Sequence, residues 1–372
     1  MIRLRGNYAP PGMIGACAHE RASVFRVNGM VRSLASGSYL AWLGLAVVGL
    51  FAVFSPATAL AADTLAPSQT FLVGGDDPAE EAVVVSSVAL SPDRQWIAAV
   101  GDDHQVRLFA LPEMKLRQQR GGHTDWVRAA AFRPDGQALA TAGDDRHVRF
   151  WAMPELTESR VSVELPCPIY AISYSPDGRT VAVAGFGDKV WILDGAEGQI
   201  VRTLDAPGSD IRALTFSADG SQLAAAGRAG QIRVYDAAGR TIRDLPAGNR
   251  RIRALAYSPD GGLLASAGDS RTVRLWDSAT GQLVAELPQR PAKVMSLVFC
   301  GPNTLAAGET GNLIRLWSIQ TGQETHNLVG HTGSVSTLVY QPQTVELLSG
   351  GFDTTVRIWK LGSSQPEAFS QR

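Results

Sequence analysis

The sequence contains one unit of about 42 residues that recurs seven times. Each unit closes on a run related to Val-Arg-x-Trp, and successive closing positions are separated by 41 or 42 residues. The closing positions are Phe109, Trp151, Leu193, Tyr235, Trp276, Trp317 and Trp359. A fixed period of this length indicates a repeat architecture, in which a single unit cannot bury its apolar surface and must pack against its neighbours.

The second unit shows the internal pattern most clearly. It opens at Gly122-His123, turns at Pro134-Asp135-Gly136 and closes at Val148-Arg149-Phe150-Trp151. Short apolar runs separated by tight-turn residues predict antiparallel strands joined by hairpins. Proline presets φ at the second position of a turn, and aspartate and glycine tolerate the remaining turn conformations. Each unit is therefore predicted to be a small antiparallel sheet.

A period near 42, with Gly-His at one end, Trp at the other and strand signals between them, resembles the WD-repeat β-propeller family. The resemblance covers residues 70–361 and implies an all-β fold, a seven-bladed β-propeller with four antiparallel strands per blade. The segment Thr70–Val73 matches the segment before the last unit. It is therefore expected to form the outer strand of the last blade, beside Val335–Trp359, and to close the ring.

The first 62 residues are predicted to be a targeting segment. Residues 39–54 form a nearly uninterrupted apolar run, arginines precede it, and small residues follow at 57–62. This is the pattern of a secretory signal peptide, and a run of 16 residues is short for a spanning helix, which needs about 20. The alternative is an uncleaved N-terminal anchor. The stretch before the apolar run is long for a signal peptide, which leaves a translation start at Met30 open.

The predicted targeting segment determines the expected location, and the repeats determine the expected domain boundaries. The protein is expected in the periplasm or outside the cell, or anchored to the membrane by residues 39–54. Residues 63–69 are expected to be a linker and residues 362–372 a C-terminal tail, and the propeller is expected to be monomeric.

Composition narrows the range of partners. The net charge is −1, and no block of like charge suggests binding to nucleic acid. Contact with a membrane is expected only through an uncleaved N-terminal segment. The three cysteines, Cys17, Cys167 and Cys300, lie far apart and lack zinc or redox spacing.

Two units carry four residues that the WD-repeat family uses inside a blade. They are His123, Thr141, Asp145 and Trp151 in the second unit, and His331, Ser349, Asp353 and Trp359 in the seventh. The resemblance implies a hydrogen-bond chain that satisfies buried polar groups, each of which would otherwise cost ~1–3 kcal/mol. Ser, His and Asp also suggest a catalytic triad, but a set that recurs within blades indicates a structural role. No catalytic residue, metal ligand or cofactor is predicted.

Partner binding is expected on the loops at one face and at the channel mouth. Loops of units one and two are acidic, whereas those of units four and five are rich in arginine, with Arg128 of unit two as an exception. Arginine and aromatic residues are favoured in interface hot spots. The candidate face comprises Trp126, Tyr170, Phe186, Arg212, Arg228, Arg250, Arg251, Arg253, Met295 and Phe352. The alternative is that these charges are solvated or pair across loops.

Two classes of function follow from this arrangement. The first, which we favour, is a non-catalytic scaffold for protein–protein interactions in the cell envelope or outside the cell. The second is a ligand-binding or hydrolytic propeller with a site at the channel mouth. That class requires His, carboxylate or metal ligands converging from several blades. His104 and His147 lie in turns of adjacent blades, which family geometry keeps too far apart for metal bonds of ~2 Å.

Overall fold

The computed structural model describes residues 62–74, 82–162 and 164–362. The predicted targeting segment lies outside these residues except for its last position, and so do Met30, Cys17 and residues 363–372 of the predicted tail. All regular elements in the described ranges are β-strands. Within the same ranges, no helix has the length and hydropathy needed to cross a membrane.

The strands form seven separate sheets in the order of the seven repeats. Two strands precede the first repeat: β1 (Asp63–Leu65) and β2 (Gln69–Leu72). The first three sheets contain β3 (Val85–Leu90), β4 (Trp96–Gly101), β5 (Val106–Ala110), β6 (Lys115–Arg120); β7 (Val127–Phe132), β8 (Ala138–Gly143), β9 (Val148–Ala152), β10 (Thr157–Val161); and β11 (Ile169–Tyr174), β12 (Thr180–Gly185), β13 (Lys189–Asp194), β14 (Ile200–Asp205).

The remaining four sheets repeat the same arrangement. They contain β15 (Ile211–Phe216), β16 (Gln222–Gly227), β17 (Gln231–Asp236), β18 (Thr241–Pro246); β19 (Ile252–Tyr257), β20 (Leu263–Gly268), β21 (Arg274–Asp277), β22 (Leu283–Glu286); β23 (Val294–Phe299), β24 (Thr304–Glu309), β25 (Leu313–Ser318), β26 (Glu324–Val329); and β27 (Val335–Gln341), β28 (Glu346–Gly351), β29 (Thr355–Lys360).

The first strand of each repeat is the innermost one, and these seven strands surround a common axis. Each contacts the innermost strands of the two neighbouring sheets, and β27 contacts β3, which closes the ring. The fold is therefore the predicted seven-bladed β-propeller.

Packing between blades explains the repeated sequence pattern. The second strand of each sheet is almost completely buried, because neighbouring sheets cover both of its faces, and every one except β28 contains at least two alanines. The closing aromatic residue fills the space between blades: Trp151 of the second blade packs with Ala98 and Leu108 of the first. The fourth strand β10 is exposed along its whole length. Apolar burial, the main driving force for folding, is therefore placed between adjacent blades.

The predicted ring closure is confirmed. Strand β2 pairs antiparallel with β29, with Phe71 opposite Val356. Flanking backbone hydrogen bonds extend the pairing, from Ser68 N to Ile358 O (2.8 Å) and from Val73 N to Thr354 O (3.0 Å). The two ends of the ring are thus held in one sheet.

The region expected to be a linker instead contains strand β1. This strand pairs in parallel with β26, with Thr64 opposite Asn327, so the sixth sheet has five strands. An outer strand presents unpaired backbone groups along one edge, and β1 satisfies those of β26. Leu65 also packs against the apolar cluster that contains Leu328 and Trp359. The N-terminal segment therefore contributes strands to both the sixth and the seventh blades.

Candidate partner-binding face

The second residue of every innermost strand is the extra residue of a β-bulge. In β7, for example, Val127 pairs with Gly143 and Ala129 with Ala142, which leaves Arg128 without its own partner in the ladder. A bulge turns its side chain away from the regular pleat. The seven bulge residues, here called the mouth ring, are Ser86, Arg128, Tyr170, Arg212, Arg253, Met295 and Ser336. All seven line one cavity of about 320 Å³ at the central channel.

A second set of equivalent positions lies on the same face, immediately after each second strand. In six blades the backbone N–H of this residue donates to the carbonyl of the residue before the innermost strand, as in Asp144 N to Trp126 O (2.9 Å). The set, here called the loop ring, is Asp102, Asp144, Phe186, Arg228, Asp269, Thr310 and Phe352. The two rings place two side chains from each blade near the channel mouth.

Arginines of the mouth ring pair with aspartates of the loop ring in two blades. Arg128 donates from Nε to Asp144 Oδ1 (3.1 Å) and from Nη2 to Oδ2 (2.5 Å). Arg253 donates from Nε to Asp269 Oδ1 (2.6 Å). Both arginines are mostly buried, so the carboxylates hold them in fixed orientations at the opening.

The fourth blade departs from this pattern because its loop-ring residue is Arg228. Arg212 of the mouth ring bonds instead to Asp210, with Nε 2.5 Å from Oδ1. The other oxygen of Asp210 accepts from Arg251 Nη2 at 2.9 Å. Two guanidinium groups therefore share one carboxylate, while Arg228 is exposed.

Aromatic rings cover the arginines and form a continuous row across three blades. The Arg128 guanidinium carbon lies 3.8 Å from the Trp126 ring centroid and 5.9 Å from that of Tyr170. The Arg212 carbon lies 4.1 Å from the Tyr170 centroid and 4.5 Å from that of Phe186. Cation–π contacts of this kind contribute about 0.5–2 kcal/mol each. These five residues, here called the stacked row, are a rigid feature of the face.

Acidic residues on the opposite side of the face bond to nearby groups. Asp102 accepts from the backbone N–H of Val84 (2.8 Å), and Asp103 pairs with Arg107 (2.6 Å). Asp125 accepts from the backbone N–H of Trp126 (2.7 Å). Much of this face therefore fits the alternative considered for its charged residues, in which they bond to neighbouring groups and pair across loops.

The basic side differs, because two of its arginines remain uncommitted. Among the described residues, no hydrogen bond or ion pair involves the side chain of Arg228 or Arg250, and both residues are exposed. The two arginines of this face without a side-chain partner among the described residues therefore lie in the fourth and fifth blades.

All ten candidate residues lie at the end of the sheets where the innermost strands begin. Four belong to the mouth ring and three to the loop ring, and Trp126, Arg250 and Arg251 immediately precede innermost strands. Sequence reasoning set Arg128 aside as an exception and overlooked Ser86 and Ser336. The alignment of the repeats could have identified these residues, because they occupy the same position in the repeat as Tyr170 and Arg212.

The expected hydrogen-bond chain is present within the second blade. His123 bonds to Asp145 Oδ2 through Nδ1 (2.8 Å) and to Thr141 Oγ1 through Nε2 (2.8 Å), and the Trp151 indole donates to Thr141 Oγ1 (2.8 Å). Burial acts to raise the pKa of Asp145, but the hydrogen bond and charge of His123 outweigh it and hold that pKa below its usual range. The Thr141 side chain is completely buried, which suits an internal brace.

The seventh blade contains the same chain. His331 bonds to Asp353 through Nδ1 (2.9 Å) and to Ser349 through Nε2 (2.7 Å), and the Trp359 indole donates to Ser349 (2.8 Å). Ser349 is completely buried and its oxygen already accepts the indole N–H. These contacts match a structural role for the residues that resemble a triad.

The sixth blade replaces this chain with a buried ion cluster. Glu309 occupies the last position of β24, where the second strands of the other blades end in glycine. Its carboxylate accepts from Arg315 Nε (3.0 Å), and Arg315 also bonds to Glu324 (2.9 Å). Burial raises the pKa of Glu309 in spite of the neighbouring arginines. Ala307 stands where the second blade has Thr141, so this blade lacks the hydroxyl.

Comparison with known protein families agrees with this geometry. Residues 80–248 match the family described as nucleolar protein 10-like, N-terminal domain, which is a β-propeller. Residues 239–277 and 322–360 each match the WD domain, G-beta repeat. No curated protein matches the chain. The chain thus carries WD repeats and a β-propeller domain similar to that of nucleolar protein 10-like proteins; WD-repeat propellers generally serve as non-catalytic scaffolds for protein partners.

Proposed function

We propose that this protein is a non-catalytic scaffold that binds a protein or peptide partner on the face carrying the mouth ring. The observation that carries this proposal is the convergence of one bulge residue from each blade on a single opening. Seven side chains, one from each repeat, thereby line one opening and form a surface that no single repeat could provide.

The stacked row supports the choice of this face. Its members are arginine and aromatic residues, the types enriched among residues that dominate binding energy. Contacts to neighbouring rings and carboxylates already fix their orientation. A partner would therefore avoid much of the ~0.5–1.5 kcal/mol that ordering each flexible side chain requires.

The proposal also includes location in the cell envelope or outside the cell. It rests on the arginine-flanked apolar run at residues 39–54 and the small residues at 57–62. The partner would accordingly be an envelope or extracellular protein. Cell fractionation combined with sequencing of the mature N-terminus tests this part. Recovery of the protein from the cytoplasm with residues 39–54 intact would contradict export.

Site-specific photocrosslinking in intact cells tests the binding face. A photoreactive phenylalanine analogue replaces Phe186 or Phe352, which are each 43% exposed. The matched control places it at Arg179, which is 86% exposed in a turn on the opposite face. Both face positions are expected to capture the same protein, to be identified by mass spectrometry, and the control position is not. Capture of that protein only at Arg179 would reject this face.

A further inference from the structure

We infer that the partner presents an acidic peptide segment, whose carboxylates bind the guanidinium groups of Arg212 and Arg253 at the mouth ring. The inference rests on the proposed function and specifies the chemistry of the partner. It follows from how each mouth-ring arginine uses its hydrogen-bond donors.

Arg212 has one edge of its guanidinium group available for a ligand. Tyr170 and Phe186 cover the group, and Nε donates to Asp210. Within the described part of the chain, neither Nη atom of Arg212 has a hydrogen-bond partner, and the side chain is 12% exposed. The remaining edge offers parallel N–H donors in the spacing that a carboxylate accepts.

Arg253 repeats this arrangement in the next blade. Its Nε donates to Asp269, while its Nη atoms have no hydrogen-bond partner among the described residues. Arg128 differs because it donates to Asp144 through both Nε and Nη2. The fourth and fifth blades therefore hold the free donors, and their innermost strands β15 and β19 are neighbours in the ring.

The charge around these two arginines favours an anionic partner. Asp210 is shared by Arg212 and Arg251, and Asp269 lies 4.0 Å from Lys293 as well as bonding Arg253. Four cationic groups thus face two carboxylates.

Two exposed arginines add to this excess of positive charge. Arg228 occupies the loop-ring position that holds an aspartate in the second and fifth blades, and Arg250 is also exposed. On the acidic side, Asp102 and Asp103 belong to the first blade, three blades around the ring from Arg212 and Arg253, so positive charge prevails at the fourth and fifth blades. Such a field attracts acidic segments and excludes basic ones.

Several carboxylates with apolar residues between them fit this surface best. The exposed ring of Phe186 covers Arg212, and Met295 and the exposed ring of Phe352 line the same channel mouth as the two arginines. The positive groups are spread over two blades, which suits separate carboxylates along a peptide.

A peptide-binding experiment with the full-length protein in detergent tests the inference. The probe is a fluorescent octapeptide of alternating Glu and Leu with blocked ends, compared with Gln–Leu, Lys–Leu and phosphoserine–Leu versions by anisotropy. We expect the Glu peptide to bind at least about tenfold more tightly than the Gln peptide, with affinity falling as salt rises. Equal affinity of these two peptides overturns the inference, as does tenfold preference for the phosphoserine peptide.

Variants locate the binding groups. Replacement of both arginines, Arg212→Gln with Arg253→Gln, is expected to weaken Glu-peptide binding by roughly tenfold or more. Arg179→Gln makes the same change on the opposite face and is expected to retain binding. Thermal melting monitors folding of each variant. Full binding by a folded double variant overturns the assignment.

A second pair of variants covers the case in which the double variant does not fold. Arg228→Gln with Arg250→Gln changes exposed side chains and is expected to reduce both the affinity and its salt dependence. Unchanged salt dependence overturns the inference.

The crosslinking experiment separates failure of the inference from failure of the scaffold proposal. If the analogue at Phe186 or Phe352 captures a partner through a segment without acidic residues, the inference fails and the scaffold proposal stands. If neither position captures a partner, the scaffold proposal itself fails.

Discussion

Asp210 and Arg212 form an ion pair across a single intervening residue, with Arg212 Nε 2.5 Å from Asp210 Oδ1. Asp210 has a φ of +59°, a region that aspartate and asparagine tolerate better than most residues. The left-handed turn brings its carboxylate beside an arginine that lacks an aspartate in the loop ring. The fourth blade thus fixes Arg212 from the chain segment that precedes the strand.

Two substitutions separate the charge of Asp210 from its conformation. Asp210→Ala is expected to lower the free energy of unfolding by about 2–3 kcal/mol, because two arginines lose a shared acceptor and alanine is strained at positive φ. Asp210→Asn keeps an acceptor and tolerates the turn, so a loss of about 1 kcal/mol is expected. Urea unfolding measures both. Equal losses would show that neither the acceptor oxygen nor the turn conformation contributes beyond the charge of Asp210.

The buried hydroxyls of the second and seventh blades should contribute more than that of the fifth. Thr141→Val and Ser349→Ala each remove the partner of an imidazole Nε2 and of an indole N–H, and a loss of about 2–3 kcal/mol is expected. Among the residues that the structure describes, Ser266 bonds through its side chain only to the Trp276 indole N–H, at 2.9 Å, so Ser266→Ala is expected to lose about 1 kcal/mol. Urea unfolding of the three variants provides the comparison. A loss for Ser266→Ala as large as the others would refute the role of histidine.

Acid should weaken the seventh blade. Burial acts to raise the pKa of Asp353, but hydrogen bonds from His331 and from the backbone N–H of Thr332 outweigh it and lower that pKa. Because the folded-state pKa lies below the unfolded value of about 3.9, the Asp353 carboxylate stabilises the fold at pH values above about 3.9. This contribution is lost as the pH falls through the folded-state pKa. The wild type is therefore expected to lose stability relative to Asp353→Asn between about pH 5 and pH 2. Parallel pH dependences of unfolding for the two proteins would contradict this.

Glu309 should show the opposite dependence. Because burial raises the pKa of Glu309, the folded state binds this proton more tightly than the unfolded state does. Its contribution is complete below the unfolded pKa of about 4.3 and is lost as pH rises through the higher folded value. The stability of the wild type relative to Glu309→Gln is therefore expected to fall as pH rises from about 4 to 8. Urea unfolding at several pH values measures the difference, and a rise with pH would reverse the interpretation.

Removal of the N-terminal strands should open the ring. Deleting residues 63–75 removes β1 and β2, including Phe71 and the buried Val73, and is expected to lower the free energy of unfolding by at least about 3 kcal/mol. Deleting residues 63–67 removes β1 alone and is expected to have a smaller effect. Thermal melting of both proteins checks the order. An unchanged melting temperature for the longer deletion would exclude a role of β2 in closure.

The repeat pattern predicted the fold because it records packing that every blade must satisfy. Trp151 and its equivalents lie between neighbouring blades, so their spacing gives both the number of blades and their order. Strand β2 was predictable because it resembles the segment before the last repeat. Strand β1 was not, because three residues on an exposed edge form backbone contacts that impose little on the sequence.

The candidate site was predicted less completely, for a related reason. A search for shared residues emphasises positions that are alike, whereas the mouth ring combines serine, arginine, tyrosine and methionine at one position of the repeat. The shared use of Asp210 depends on a left-handed turn that no residue type dictates. Glu309 shows the same limit, since its arginine partner follows on the next strand of its blade.

Strand pairing between Phe71 and Val356 has a consequence for how the chain folds during synthesis. The N-terminal strand of the ring leaves the ribosome early, yet its partner is made almost 300 residues later. Until then the seventh sheet is incomplete and its edge can pair with other chains. Strand β2 is therefore exposed to mispairing with neighbouring nascent chains until the last blade has emerged from the ribosome.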